Sequence, residues 1–164
     1  MIDSPPIIDL TVANDPAATP RARYDPRRRR MYTPDVADHW KHAIAVELTR
    51  AGFRRKPEPP TCGFEVRLVL YFERPGYLDK VQPAQALAKI TKPDLDNLEK
   101  AVLDVCTDEG VWRDDGQVFA VSKSKYFCAA GARPGARILI TPHPELDYAA
   151  RRKKPASAST LYTR

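Results

Sequence analysis

The alternation of apolar residues along residues 64–72 limits the possible folds of this chain more than any other feature. Every second residue there is large and apolar, from Phe64 to Phe72, and the residues between them include Glu65 and Arg67. A period of two places the apolar side chains on one face of an extended strand. The chain is therefore expected to form a β-sheet that includes this strand and buries one of its faces.

Two other segments have the apolar spacing of amphipathic helices. Between Val36 and Leu48 apolar residues recur every three or four positions, and Gly52 follows where a helix would end. A second stripe with the same spacing runs from Leu95 to Val105. Both segments are predicted to be helices that bury one side.

Shorter patterns predict the remaining elements. Residues 6–12, 118–127 and 137–141 are predicted strands, while residues 84–90 could form a short helix or part of a loop. The order strand, helix, strand, helix, strand, strand predicts a single compact α/β domain with a mixed β-sheet flanked by helices. We expect this domain to occupy residues 1–145 and residues 146–164 to form a flexible, basic C-terminal tail.

The composition excludes several classes of protein. The three cysteines, Cys62, Cys106 and Cys128, are odd in number and form no Cys-x-x-Cys pair, so neither a disulfide framework nor a zinc site is predicted. No apolar run reaches the roughly 18 residues that a membrane span needs. The first ten residues also lack the basic start and apolar core of a signal peptide. We expect reduced thiols and a cytoplasmic protein.

Basic residues are concentrated in a few segments. The formal net charge is +6, and residues 21–30 contain six arginines with a single acid, Asp25. The guanidinium group matches the geometry of phosphate oxygens and stays charged, and the neighbouring Tyr24 and Met31 favour an ordered loop or hairpin. The basic residues 151–154 are interpreted as part of a solvated tail. The candidate phosphate-binding residues are Arg21, Arg23, Arg27, Arg28, Arg29, Arg30 and, further along the chain, Lys92.

The carboxylates of Asp94 and Asp96 suggest a metal site. Pro93 favours an extended backbone before it and a helical stripe begins at Leu95, so both aspartates lie where extended chain becomes helix. Side chains two residues apart point the same way in an extended segment but diverge in a helix. At such a boundary the two carboxylates could converge on a cation, and oxygen ligands suit Mg²⁺.

Further residues could complete this site. Lys100 lies four residues after Asp96 on the same helical face, and its ammonium group could neutralise charge on a phosphate in the transition state. Asp114 and Asp115 end a turn just before a strand, which is a suitable position for a further metal ligand. Together these residues predict hydrolysis of a phosphodiester by a metal-activated water.

Each pattern also has a structural explanation, which is the more common one when the pattern occurs alone. An aspartate before a helix usually caps it, and Asp96 with Lys100 could be an ordinary surface pair. The sequence Asp114-Asp115-Gly116 could be only a turn. His39 and His42 are likewise interpreted as helix-surface residues.

Taken together, the patterns in residues 92–119 resemble the signature of the RusA family of Holliday junction resolvases, found in bacteria and prophages. The segment reads KPDLDNLEKAVLDVCTDEGVWRDDGQVF. The family pattern has a basic residue, Asp-Leu-Asp-Asn-Leu, a lysine two residues later, an Ala/Val-rich helix with an aspartate, and then Asp-Asp and Gln. All these parts occur here in that order. Residues 20–23 and 30–34 are similar to Arg-Pro-Arg and Tyr-Thr-Pro elements of phage members, although Ala22 replaces the proline of many relatives.

The resemblance implies a specific activity and site. The family's catalytic aspartates fall on Asp94, Asp96 and Asp115, and its essential lysine on Lys100, with Asp114 as an alternative or supporting metal ligand. It also implies a homodimer that depends on Mg²⁺, for which Mn²⁺ can substitute, and that nicks four-way DNA junctions symmetrically. The expected setting is DNA recombination and repair at the nucleoid of a bacterial or phage-infected cell.

Other functions are compatible with parts of the sequence. An inactive protein that binds junctions or duplex DNA would keep the fold, but intact aspartates and Lys100 argue against it. A nuclease for flaps or forks would differ only in its preferred substrate. Phosphatases of the haloacid-dehalogenase type and sugar-nucleotide transferases also contain Asp-x-Asp. The former place the first aspartate after a buried strand, which residues 90–93 do not resemble, and the latter need a larger nucleotide-binding domain.

Overall fold

The computed structural model describes residues 7–19, 23–32, 37–55 and 57–147, without the side chains of Arg23 and Tyr32. Short 3₁₀ turns occupy Gly76–Leu78, Asp115–Gln117 and Pro144–Leu146. The predicted order of strands and helices is confirmed, with a small hairpin inserted before the first helix and a two-residue strand before the second. The elements are β1 (Ile8–Val12), β2 (Arg23–Asp25), β3 (Arg30–Tyr32), α1 (Asp38–Arg50), β4 (Gly63–Phe72), β5 (Leu87–Ala88), α2 (Leu95–Asp108), β6 (Val118–Phe127) and β7 (Gly135–His143).

The main sheet is mixed, as predicted, with the strand order β1-β7-β4-β6-β5. The strand with the clearest alternation, β4, lies at its centre, antiparallel to β7 and parallel to β6. A parallel neighbour cannot be reached through a tight turn, so the chain crosses over between β4 and β6, and α2 lies in that crossover. This connection brings α2 against β6.

The two helices lie on one face of the sheet. In β4 the alternate residues from Phe64 to Phe72 are at most 6% exposed, whereas Arg67 on the opposite face is exposed. α1 and α2 contact each other and belong to the same core cluster as the buried residues of β4. The core therefore lies between one face of the sheet and the helix pair.

Both helices bury most of their predicted stripes, although Leu95 is only partly buried and Val36 lies outside the described residues. In α1, Trp40, Ile44 and Leu48 are each 0% exposed, and the helix ends before Gly52, whose φ of +81° is a conformation that glycine adopts without strain. In α2 the buried residues are Leu98, Ala101, Val102, Leu103, Val105 and Cys106.

The segment 74–91, which the sequence left open between helix and loop, is mostly loop. The guanidinium group of Arg74 organises it by donating to the backbone carbonyls of Leu78, Val81 and Gln85 within the loop. It also donates to the carbonyl of Cys128 at the end of β6. These bonds satisfy carbonyls that a helix would have satisfied internally. The short helix considered for residues 84–90 is not observed, and β5 lies there instead.

The remaining predictions concern membrane spans, the cysteines and the C-terminal tail. None of the helices in the described ranges is long and apolar enough to cross a membrane. The three cysteines are free, and burial raises the pKa of the Cys106 thiol to about 12, so this thiol is not a nucleophile near neutral pH. The predicted tail lies outside the described residues from residue 148 onward.

Candidate active site

The N-terminus of α2 presents Asp94 as an exposed carboxylate. Asp94 occupies the N-cap position with an extended backbone, φ −73° and ψ 145°, so the boundary between extended chain and helix lies at this residue. Its side chain makes no capping hydrogen bond, although capping is the usual role of an aspartate there. Capping therefore does not account for this carboxylate, which is available to a ligand.

Asp96, in the first turn of α2, is held by a lysine of the neighbouring strand. The ammonium group of Lys123 lies 2.5 Å from Oδ1 of Asp96 and 2.5 Å from Oε2 of Glu99. The side chain of Lys123 is 25% exposed and that of Asp96 is 89% exposed. Asp96 thus projects into solvent while one of its oxygens is tied to a half-buried cation.

These contacts shift two pKa values in opposite directions. The hydrogen bond from Lys123, and then its charge, lower the pKa of the Asp96 carboxyl group. Burial by itself would lower the pKa of Lys123, but the hydrogen bonds and charges of Asp96 and Glu99 outweigh burial and raise it. Near neutral pH Asp96 is therefore an anion and Lys123 a cation.

A second lysine of β6 holds the chain that leads into α2. Nζ of Lys125 donates to the backbone carbonyls of Thr91 and Pro93, both at 2.6 Å. Lys123 and Lys125 are two residues apart on the strand, so their side chains share one face. Because their register partners in β4 are buried, that face is the one covered by the helices.

Lys100 does not pair with Asp96. Its Nζ lies 3.8 Å from Oδ1 of Asp104, one turn further along α2, and its side chain is 64% exposed. Asp104 also lies 3.6 Å from Nζ of Lys41 in α1. The surface pair between Asp96 and Lys100 is therefore not observed, and the predicted catalytic role of Lys100 stays a prediction.

Asp114 and Asp115 lie near the other end of α2. Asp114 caps the 3₁₀ turn, and its Oδ1 accepts a hydrogen bond from the N–H of Gly116 at 2.8 Å, so the predicted turn is present. Asp115 is exposed. The two aspartates line a pocket of about 270 Å³ together with Lys41, Asp104, Thr107 and Asp108.

Within one chain the predicted metal ligands thus form two separate groups. Asp96 and Asp108 are twelve residues apart on α2, or about 18 Å along the helix axis, and Asp115 shares its pocket with Asp108. Across the described part of the chain, no three His, Cys, Asp or Glu side chains are arranged so that they could hold a metal ion.

Gln117 anchors the turn that carries Asp115. Its Nε2 donates to the backbone carbonyls of Pro60 and Cys62 at 2.9 and 2.8 Å, and its Oε1 accepts from the N–H of Arg113 at 2.8 Å. One side chain therefore links both ends of the turn to the segment that enters β4. This explains structurally why a glutamine closes the Asp-Asp-x-Gln sequence.

The arginine-rich segment forms a hairpin, as predicted. β2 and β3 pair only with each other among the described strands. Residues 27–30, at the turn and the start of β3, are all exposed arginines. Oδ1 of Asp25 accepts hydrogen bonds from the backbone N–H groups of Arg27 and Arg28 at 2.9 and 3.2 Å, which orders the turn and leaves the arginine side chains at the surface.

The hairpin is attached close to the N-terminus of α2. The N–H of Thr19 donates to the carbonyl of Asn97 at 3.3 Å, and β2 begins four residues later, at most about 14 Å of extended chain. Lys92 is exposed in the loop before α2. The predicted contact residue Arg21 lies outside the described residues, as does the side chain of Arg23.

Several other residues were placed by the structure. Lys123 and Lys125 were missed from the sequence, although the alternation Ser-Lys-Ser-Lys in a predicted strand could have placed both lysines on one face. Trp112 is 0% exposed, and its ring centroid lies 5.3 Å from that of Phe64, so it is not available to stack on a base. His39 and His42 are exposed on α1, as predicted.

The fold and the site together define a class of protein. A small mixed α/β domain carries exposed carboxylates beside lysines at one end of a helix, a second acidic pocket near its other end, and an arginine hairpin attached nearby. Exposed carboxylates, which are common metal ligands, in a domain that also carries exposed arginines suited to phosphate, fit an enzyme that hydrolyses phosphodiester bonds in nucleic acid.

Comparison with known families identifies this class more closely. Residues 14–141 match the family model described as Endodeoxyribonuclease RusA, and the chain belongs to this family. The resemblance drawn from residues 92–119 is thereby confirmed. Nucleases of the family act on branched DNA and generally depend on a divalent metal. No curated protein matches this chain.

Proposed function

We propose that this protein is a Mg²⁺-dependent Holliday junction resolvase that cuts four-way DNA junctions by paired, symmetric hydrolysis of phosphodiester bonds. The observation that carries the proposal is the N-terminus of α2, where the exposed Asp94 makes no capping bond and Asp96 is held beside it by Lys123. Membership of the RusA family supports action on branched DNA.

The donors at this end of α2 suit a hard divalent cation. Mg²⁺ is commonly bound by one or two carboxylates, and waters and substrate phosphate complete its coordination. Asp94 and the oxygen of Asp96 that does not contact Lys123 would hold the ion. Bound there, Mg²⁺ or Mn²⁺ would supply a nucleophilic water and neutralise charge on the phosphate.

Basic residues near the proposed metal site and in the hairpin would bind and orient the DNA. The exposed arginines of the hairpin, residues 27–30, would bind phosphates without regard to sequence. Lys92 lies two residues before Asp94 and would bind a phosphate next to the cut. Lys100, exposed one turn after Asp96, would approach the reacting phosphate by leaving its weak contact with Asp104.

We further propose that the protein is a homodimer in which Asp115 acts with Asp94 and Asp96 of the partner subunit. Ligands lie about 2 Å from Mg²⁺, so the two groups of acids, which lie near opposite ends of α2, are too far apart to share one ion within a chain. A two-fold dimer would form two composite sites, one for each strand to be cut, and would match the two-fold symmetry of the junction.

Mixing two inactive variants tests the shared site. Chains carrying Asp94→Asn and chains carrying Asp115→Asn would each be inactive alone. If sites are shared, a mixed dimer contains one intact site and regains single-strand nicking. If each site belongs to one chain, both sites of the mixed dimer are damaged and the mixture stays inactive.

The main experiment is cleavage of labelled substrates by the purified protein, with Mg²⁺ and with EDTA. A four-way junction, a linear duplex, a fork and a flap would be compared under the same conditions. Metal-dependent, symmetric nicks in the junction alone are expected. Binding without cutting would indicate an inactive junction-binding protein, and preferential cutting of forks or flaps would indicate a nuclease with another substrate.

A further inference from the structure

We infer that Lys123 and Lys125 of β6 position the first turn of α2, so that Asp96 is held ready to bind the metal. This inference rests on the proposed function, because both lysines are inferred to position a ligand of the proposed metal site. We call the pair the β6 clamp. Neither lysine is a catalytic residue in this assignment, since each acts on the site through other groups.

Lys123 acts on the helix itself. Its ammonium group bridges Asp96 and Glu99 with contacts of 2.5 Å to each. The side chains of Lys123 and Glu99 are 25% and 22% exposed, so both are confined by their neighbours, whereas Asp96 is 89% exposed. Glu99 therefore anchors Lys123. Lys123 in turn limits the rotation of the Asp96 carboxylate, which would otherwise rotate freely in solvent.

Lys125 acts on the segment before the helix. Its two bonds to the carbonyls of Thr91 and Pro93 end at the residue that precedes Asp94. The same segment is fastened to β6 a second time, because the backbone N–H of Lys89 donates to the carbonyl of Lys125 at 3.1 Å. Lys125 thus holds the backbone before Asp94, and Lys123 holds two side chains of the helix after it.

A simpler electrostatic role for Lys123 makes the opposite prediction about metal affinity. If Lys123 were only a counter-ion that competes with the metal for Asp96, its removal would strengthen Mg²⁺ binding, because the site would become more negative. If Lys123 positions Asp96, its removal weakens binding despite the gain in negative charge. Residues that support metal ligands typically change metal affinity or activity by about 10- to 100-fold when mutated.

The double variant Glu99→Gln/Lys123→Met separates the two roles. It removes one negative and one positive charge, so the net charge of the site is unchanged while the bridge to Asp96 is broken. Glu47→Gln/Arg50→Met is the matched control, since it removes an ion pair with the same 2.5 Å contact from the surface of α1. Lys125→Met is a third variant, which removes a cation bonded to backbone carbonyls only.

Two measurements on the full chain decide the matter. Titration calorimetry with Mg²⁺ is expected to show affinity about 10-fold weaker in the double variant and weaker in Lys125→Met, with no change in the control pair. Hydrogen exchange of the amides of residues 98–100, the first that bond to carbonyls of α2 and its N-cap, is expected to accelerate in both clamp variants. Unchanged exchange in the double variant would overturn the inference, as would wild-type Mg²⁺ affinity in that variant or tighter Mg²⁺ binding by Lys125→Met.

The same measurements distinguish failure of the proposed function from failure of the clamp. A wild-type protein that binds no Mg²⁺ and cuts no junction would refute the proposed function. In that case accelerated exchange in the two clamp variants would still establish that β6 holds the first turn of α2. Unchanged exchange would refute the clamp independently of any activity.

Discussion

Asp94 and Asp96 are separated by a single residue at the start of α2, yet only Asp96 has a charged partner among the described residues. Lys123 binds one oxygen of Asp96, while Asp94 occupies the N-cap without capping. One carboxylate is therefore restrained and the other is free to adjust. This is a suitable arrangement for a pair of ligands that must accept a cation and a phosphate together.

Replacing either aspartate is expected to abolish cleavage and preserve DNA binding. Asp94→Asn or Asp96→Asn should lower the rate of junction cleavage at least about 100-fold, because each removes a proposed metal ligand. Junction affinity should be equal or tighter, since a negative charge facing phosphate is removed. Cleavage assays and gel-shift titrations measure the two effects. Asp79→Asn, in the exposed loop after β4, is the control, and a site variant that cuts at the wild-type rate would refute the assignment.

Neutralising the hairpin is expected to weaken binding to all DNA sequences. Replacing Arg28, Arg29 and Arg30 by glutamine should reduce the slope of log affinity against log salt concentration by roughly one for each phosphate that the hairpin no longer binds. Fluorescence anisotropy over a range of salt concentrations measures this slope.

The control for the hairpin removes the same charge elsewhere. Arg50, Arg54 and Arg67 are exposed on other surfaces, so their replacement by glutamine should change the slope less. Equal slopes for the two triple variants would show that the hairpin has no special contact with phosphate.

The pKa of Asp96 is expected to depend on Lys123. Because the folded-state pKa lies below the ordinary value of 3.8, the interaction stabilises the fold above that pH and is lost as the pH falls through the lowered pKa. The pKa of Lys123 is raised above 10.5. The stability that Lys123 contributes to the fold is therefore present at neutral pH and is lost only as the pH rises through this raised pKa.

An NMR titration of the aspartate carboxyl groups tests this dependence. In the wild type the midpoint of Asp96 should lie below 3.8, and in Lys123→Met it should move up toward that value. Asp9 is an internal control, because the hydrogen bond from Arg137 lowers its pKa independently. An unmoved Asp96 midpoint would show that the contact with Lys123 does not persist in solution.

Loss of the Gln117 amide is expected to destabilise the turn that carries Asp115. Gln117→Ala leaves the carbonyls of Pro60 and Cys62 without this donor, at a cost of about 1–3 kcal/mol. For a chain of this size each kcal/mol lowers Tm by roughly 2–4 °C. Thermal unfolding measures the change, with the exposed Gln85→Ala as control, and equal Tm values for both variants would contradict this role.

Local patterns in the sequence predicted the elements of the fold well. The period-two run of β4, the stripes of α1 and α2 and the turn at Gly52 all depend on residues close together in the chain. Order in the arginine segment, as a loop or a hairpin, was also predicted, because aromatic and apolar residues within a charged run favour order. The loop at residues 74–91 was left open because its structure depends on Arg74, whose bond to Cys128 joins residues far apart in sequence.

By itself the sequence determined the order of strands and helices, the boundary at Asp94 and the family to which the chain belongs. These properties follow from side-chain periodicity and from a motif read within a single stretch of chain. Only the tertiary structure decided which lysine holds Asp96, what Gln117 anchors and where Asp115 lies relative to Asp94. Those contacts depend on the crossover that lays α2 against β6, and residues brought together by such a connection have no fixed spacing in the sequence.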